Sequence, residues 1–434
     1  MVRKIAFYTL GCKVNQVETE NMKELFLKRG YELVDYSQPA DIYVVNTCTV
    51  THVSDRKSRA MLRRGKKRNA DAIVIAAGCL AQVCPEQLEH MEEVNIIIGN
   101  SHKEEIVDIV EEELKDQKAH KALYVDDISR DKRPGRNLYS HPHERTRAFI
   151  KIQDGCQSFC SYCIVPYARG PVRSKKPEDV LAELDQLLFL GYKEIVLTGI
   201  HSGFYGIDLP GWDLPRLLKS ILDRFPGDYR IRLSSIEPLE LTPPLLHLVA
   251  NEKRLCRHFH IPLQSGSDEI LSRMGRRYKR DAYQAVLQEA AALIPGVALT
   301  TDVMVGFPGE SEADFAQTCE LLENLPFYRL HVFKYSRRQG TAAAVMPDQL
   351  DEKEKNKRSD ILLALGRKKR LFFEKKLCGS KLSLLVERNL GHDRYIGISD
   401  NYVNVLFNTE HDVQGKMIDV LIQDVQDNHV IGVY

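Results

Sequence analysis

Nine residues constrain this chain more than any others: Gly155-Cys156-Gln157-Ser158-Phe159-Cys160-Ser161-Tyr162-Cys163. Three thiols spaced by three and then two residues can wrap three irons of a cubane cluster from one short loop. Zinc would call for a fourth protein ligand, typically from a paired Cys-x-x-Cys, and no such pair accompanies this loop. Three cysteines on a four-iron cluster leave one iron open for a substrate to coordinate. A metal-free reading, three packed thiols, fits poorly with so polar a stretch. The loop follows the strand-like run 148–152, which suits a site at the carboxyl end of a barrel strand.

Three further cysteines share a pattern. Cys12, Cys48 and Cys79 each fall one or two residues beyond an apolar run, after Leu10-Gly11, Asn46-Thr47 and Ala77-Gly78. In a parallel sheet those strand ends share one edge, so the thiols are expected to converge on one crevice. Gly11 and Gly78 would let a bulky group approach the backbone. Cys84, Cys256, Cys319 and Cys378 lack such a setting and are assigned to packing.

The rest of the chain reads as three folded parts. Over 1–125, strand-like runs alternate with charged amphipathic segments, which predicts a parallel sheet wrapped by helices. A polar linker is expected over 126–145. Six strand-plus-helix units over 146–350 predict a partial (β/α)6 barrel. Their alternation, as in Arg230-Ile231-Arg232-Leu233, points apolar side chains at the helices and leaves a polar interior. A charged helical connector follows over 351–376. Five short strands over 377–434 then predict a small antiparallel β-barrel of the kind that binds nucleic acid. The fold class is therefore α/β with a C-terminal β-barrel.

Net charge is only +1, but the charges are segregated. Acidic side chains crowd 104–116 and basic ones crowd 56–68, so a basic face is expected despite the neutral sum. The 56–68 helix, Arg169 with 173–176, and 273–280 are the candidate phosphate contacts. Tyr395 and Tyr402 are candidates for stacking on bases. The longest apolar run, 72–81, is about half the roughly 20 residues of a membrane span, and the first residues lack a cleavage site, so no membrane is expected. A cytoplasmic location follows, where ten cysteines suit metal or catalysis better than disulfides.

The loop at Cys156, Cys160 and Cys163 resembles the cluster loop of the radical S-adenosylmethionine superfamily. The resemblance implies that S-adenosylmethionine chelates the open iron and is cleaved to a deoxyadenosyl radical. With the second trio and the C-terminal barrel, the whole chain is similar to the radical methylthiotransferases. Their order is an auxiliary-cluster domain, a radical barrel and a TRAM domain. That implies two [4Fe-4S] clusters, held by Cys12, Cys48 and Cys79 and by Cys156, Cys160 and Cys163.

The phrases Thr9-Leu10-Gly11-Cys12-Lys13-Val14-Asn15-Gln16, Asn46-Thr47-Cys48-Thr49-Val50-Thr51 and Tyr167-Ala168-Arg169-Gly170 are most similar to the branch acting on threonylcarbamoyladenosine in transfer RNA. The branches acting on isopentenyladenosine or on a ribosomal protein are the alternatives. A non-catalytic, metal-containing RNA-binding protein is the alternative of another class. Gln157 stands where the branch commonly has Asn. Family-like phrases at successive strand ends nominate Gly199, Ser234, Ser235, Glu237, Gln264 and Asp302 for S-adenosylmethionine. The remaining partners implied are a tRNA anticodon stem-loop, an electron donor protein and a sulfur donor.

Overall fold

The computed structural model describes residues 2–115, 121–133, 135, 146–426 and 429–434. Part of the expected linker over 126–145 lies outside the described residues. The chain forms two compact units. The first comprises 1–140, 153–175 and 336–344, and the second 141–152, 176–335 and 345–434.

The first unit is built on a six-stranded parallel sheet. Its strands are β1 (Lys4–Thr9), β2 (Glu32–Val34), β3 (Ile42–Thr47), β4 (Ile73–Gly78), β5 (Ile96–Ile98) and β6 (Ala122–Tyr124), in the order β2-β1-β3-β4-β5-β6. β3 is buried on both faces, as continuous apolar runs such as Ile42–Val45 predict. Two apolar layers sandwich the sheet: Tyr43, Val45, Val74 and Ala76 point one way, and Ile42, Val44, Ile75 and Ala77 the other. The helix His52–Arg68 lies over β3 and β4. Thr51 caps it by accepting from Ser54 N, and Lys66, Lys67 and Arg68 end it, favourable for the helix dipole.

The second unit begins with β7 (Arg147–Lys151). The chain then crosses into the first unit for a short antiparallel pair, β8 (Gln153–Asp154) and β9 (Arg173–Ser174). Back in the second unit, β10 (Glu194–Thr198) pairs in parallel with β7 and with β11 (Arg230–Leu233). β12 (His258–His260), β13 (Ala298–Val305) and β14 (Phe327–Lys334) form a second parallel sheet. Single bridges, Ile231 to Leu255 and Ser235 to His260, carry the curve from one sheet to the other. The expected six-stranded partial barrel is therefore present.

Its interior is polar, as the alternation predicted. Glu194 is fully buried, Arg232 donates to both its oxygens at 2.7 and 3.1 Å, and Arg230 donates to one at 2.7 Å. The same arginines reach the C-terminal strands, donating to the carbonyls of Ser383, Ile398, Ser399 and Asp400 at 2.8–3.1 Å.

Those strands are β15 (Lys381–Gly391), β16 (Arg394–Ser399), β17 (Asn404–Asn408), β18 (Met417–Gln426) and β19 (His429–Val433). They close a barrel in the order β15-β16-β17-β19-β18. The two tyrosines proposed as base platforms do other work. Tyr395 is buried in the core of this barrel. Tyr402 adopts a left-handed φ of 66°, stacks on His258 at 4.5 Å and lies beneath the Arg232 guanidinium. Neither ring is presented for stacking on RNA.

Candidate metal centres and cofactor pocket

Parallel pairing puts the ends of β1, β3 and β4 side by side, and the three scattered cysteines sit where those strands stop. Cys12 occupies the cap position of helix Lys13–Lys28, Cys48 directly follows β3, and Cys79 opens helix Cys79–Val83. They meet in space. Burial raises the Cys48 thiol to about 11, helped by its neighbours Cys79 and Cys12. A methyl on Gly11 would lie 3.0 Å from the Cys48 sulfur. Gly78 has φ +100°, and a Cβ there would lie 2.5 Å from Asn46 Oδ1. Both glycines are therefore required where the thiols converge.

The surroundings of this trio are charged, with Cys48 and Cys79 buried and Cys12 at the exposed side. Arg169, 1% exposed, donates to Glu18 and to Asn15 on the helix that begins after Cys12, and to Asp154 of β8 at 3.3 Å. Burial opposes its charge, but Glu18, then Cys79 and Asp154, hold the guanidinium protonated. Lys103 is also buried and donates to Glu18 at 2.5 Å. Asn100 donates to the Cys79 sulfur at 3.7 Å and to the carbonyl of Ala168 at 2.7 Å. Three thiols with cations and an amide donor around them suit an anionic iron–sulfur cluster, whose properties such neighbours tune.

The second trio lies on the loop between β8 and β9, in the same compact unit. Cys156, Cys160 and Cys163 are all half-buried. Gly155 takes φ +74° at a point where a Cβ would strike the Pro171 carbonyl, and Cys156 N donates to Gly170 O at 3.0 Å. Ser158 N points at the Cys156 sulfur at 3.5 Å, and Cys163 N donates to Cys160 O. Phe159, between the ligands, adopts φ 45°, an uncommon conformation for a bulky residue that turns the loop back on itself. The donor set and the turned backbone fit a cluster held by three cysteines. Cys84 is half-buried outside both trios, and Cys256 is buried among barrel charges with its thiol pushed up to about 12. Cys378 is exposed, contrary to the packing role expected for it, because it falls in the turn after helix Glu352–Lys375.

The nominated cofactor residues cluster at strand ends of the second unit. Gly199 follows β10. Ser234 follows β11, its hydroxyl 3.3 Å from Thr198 Oγ1 and 3.2 Å from Ser202 Oγ. Ser235 bridges to His260. Gln264, at φ 65°, bonds through its backbone to Asp302 O and Met304 N. Glu237 pairs with Arg276, which stacks on Tyr278 at 4.9 Å. Asp302 faces two histidines, His260 at 3.2 Å and His331 at 3.3 Å. Burial would raise its carboxyl, but the two imidazoles hold it down at about 2.

Of the candidate phosphate contacts, the helix His52–Arg68 keeps Arg56, Lys57, Arg63, Arg64, Lys67 and Arg68 exposed. The stretch at 169–176 does not qualify. Arg169, Arg173 and Lys175 are buried, and only Lys176 is exposed. Sequence reasoning read their charge as a surface property because the carboxylates that bury Arg169 lie as far as 151 residues away. It also missed Asn100, Lys103 and Arg338, for which no motif gave a signal.

Comparison with known proteins agrees with this arrangement. Residues 4–99 match an uncharacterised protein family, UPF0004, and residues 150–322 match the radical SAM superfamily. The threonylcarbamoyladenosine tRNA methylthiotransferase MtaB of Bacillus subtilis (strain 168) is 39% identical, over 96% of this chain and 93% of its own length. The MtaB of Aquifex aeolicus (strain VF5) is 41% identical, over 96% and 100%. A tRNA-2-methylthio-N(6)-dimethylallyladenosine synthase of Carboxydothermus hydrogenoformans (strain ATCC BAA-161 / DSM 6008 / Z-2901) is 32% identical, over 98% of each. Among solved structures, the radical S-adenosylmethionine methyltransferase TsrM of Kitasatospora setae shares the fold. Its TM-score is 0.59 at 13% identity, covering 90% of this chain and 79% of that one.

Proposed function

This chain belongs to the tRNA methylthiotransferase family that includes the MtaB proteins, and on that basis we propose that it converts threonylcarbamoyladenosine beside the anticodon of tRNA to its 2-methylthio derivative. The observation that carries the reading is the presence of two three-cysteine sites in one compact unit. Cys156, Cys160 and Cys163 would hold one [4Fe-4S] cluster and Cys12, Cys48 and Cys79 the other. Bound there, the clusters supply the electron that cleaves S-adenosylmethionine and a site for the sulfur to be transferred.

The chain's own residues position and exclude. Gly199, Ser234, Ser235 and Gln264 line the strand ends where S-adenosylmethionine would lie, with Glu237 and Asp302 fixed by Arg276 and by two histidines. The exposed basic face of helix His52–Arg68 neutralises RNA phosphates, and the C-terminal barrel is a TRAM domain that holds the anticodon stem-loop. Reduction and sulfur come from an electron donor protein and a sulfur donor, and the setting is the cytoplasm. No helix among the described residues is long and apolar enough to cross a membrane.

The test is nucleoside analysis of tRNA from a host lacking its own enzyme, with and without this chain. The 2-methylthio derivative of threonylcarbamoyladenosine should appear only with the chain. Methylthiolation of isopentenyladenosine instead would refute the substrate assignment. Absence of any methylthio nucleoside, with zinc in place of iron, would favour a non-catalytic RNA-binding protein.

A further inference from the structure

Transfer of sulfur from one metal site to a carbon activated at another requires the two sites to be held at a fixed spacing, because misplacement of a reacting group by 1 Å can cost on the order of 10²-fold. Two sets of hydrogen bonds in the first unit join the trios. One is the cluster around Arg169. The other is the short segment 336–344, which returns to this unit after β14 and touches the surroundings of both.

At one end the segment grips the stretch that follows Cys48. Ser336 Oγ accepts from His52 N at 3.1 Å. Arg338 is buried and splits its guanidinium: Nη1 donates to Asp55 Oδ2 at 2.6 Å, and Nη2 to Thr49 Oγ1 at 2.6 Å. Thr49 is the residue next to Cys48 and is itself buried. At the other end, Ala343 N donates to Ser161 O at 2.7 Å, inside the Cys160–Cys163 turn. Between the two ends the segment closes on itself, with Thr341 N donating to Arg338 O at 3.1 Å and Arg337 Nε to Ala344 O at 2.6 Å. It is a compact brace with one end on each cysteine loop.

We infer that the 336–344 segment is a brace setting the separation of the two cysteine sites, and that Arg338 is its positioning residue. This rests on the proposed function for its purpose, while the two anchored ends are observed hydrogen bonds. Arg338 touches neither cysteine trio nor any nominated cofactor residue. Its planar fork reaches two partners at once, which a lysine cannot reproduce.

The experiment uses the full chain with both clusters reconstituted, and compares wild type with Arg338→Met and Thr49→Val. Arg338→Met removes the guanidinium's hydrogen bonds to Asp55 and Thr49, keeps the one from His52 N to Ser336, and leaves Asp55 buried without its cation. Thr49→Val removes one hydrogen bond and no charge, so it remains informative if the first variant folds poorly. Iron content is measured first. The magnetic interaction between the two reduced clusters is then read by electron paramagnetic resonance, and methylthio product is counted per deoxyadenosine formed.

Iron should stay at the wild-type level in Thr49→Val while the magnetic interaction changes. The ratio of product to deoxyadenosine should fall several-fold in Thr49→Val and on the order of 10²-fold in Arg338→Met. Arg338→Lys should recover only part of the loss. An unchanged magnetic interaction together with an unchanged ratio in Thr49→Val and Arg338→Lys would overturn the inference. A wild-type protein that shows the magnetic interaction but makes no methylthio product would count against the proposed function and leave the spacing test intact.

Discussion

Glu194 should be worth about 3 kcal/mol to the second unit, and that energy should depend on pH in a defined direction. Burial alone would raise its carboxyl, but the Arg232 and then the Arg230 guanidiniums overcome burial and hold it at about 2, against 4.5 for an ordinary glutamate. The gap between about 2 and the ordinary 4.5 corresponds to about 3 kcal/mol. The group's folded value lies below its unfolded one, so this stability is complete above about pH 5 and is lost as pH falls toward 2. By pH 3.5 the same linkage leaves about 2 kcal/mol.

Glu194→Gln removes the charge and leaves Arg230 and Arg232 buried without it, at a cost of about 3–5 kcal/mol. Urea unfolding of iron-free wild type and variant at pH 7 and pH 3.5 measures the gap directly. It should narrow by about 1 kcal/mol at the lower pH. Hydrogen exchange should also speed up over 398–400, whose carbonyls the two arginines hold. A loss below 1 kcal/mol at pH 7, or a gap that widens at pH 3.5, would mean that the two arginines do not stabilise this carboxylate.

Three other outcomes follow from the same structure. Gly78→Ala forces a Cβ against Asn46 at a backbone angle alanine avoids, so the chain should load about half the wild-type iron, measured by metal analysis. Reversing Arg64 and Lys67 to glutamate should weaken anticodon stem-loop binding and flatten its salt dependence by about 0.7–0.9 for each phosphate no longer neutralised, while Lys175→Gln should leave that slope unchanged because Lys175 is buried. Cys84→Ala should retain full iron, whereas Cys79→Ala should lose about half, by the same assay.

Much of this architecture could be read before any coordinates. The Cys156–Cys163 spacing nominated one candidate site by itself, and the position of Cys12, Cys48 and Cys79 just past apolar runs nominated the second, whose cysteines parallel pairing brings to one sheet edge. The polar barrel interior followed from period-two alternation around Arg230 and His258. What escaped the sequence has a common cause. β2 and β6 are three residues each, too short for periodicity, and exist because a neighbouring strand offers hydrogen bonds. Arg169 looked like surface charge, and Arg338 gave no signal at all, because their carboxylate partners are about 150 and about 280 residues distant. Tyr402 looked available for bases because neither its left-handed φ nor the stack on His258 is encoded locally.

Iron counted per chain in three proteins decides whether the molecule holds two clusters. Reconstituted wild type should carry roughly eight irons, and changing Cys12, Cys48 and Cys79 to alanine, or Cys156, Cys160 and Cys163 to alanine, should each leave roughly four. Only the second change should abolish deoxyadenosine formation. A triple variant that kept all its iron, or cofactor cleavage that survived loss of Cys156, Cys160 and Cys163, would contradict the two-cluster assignment.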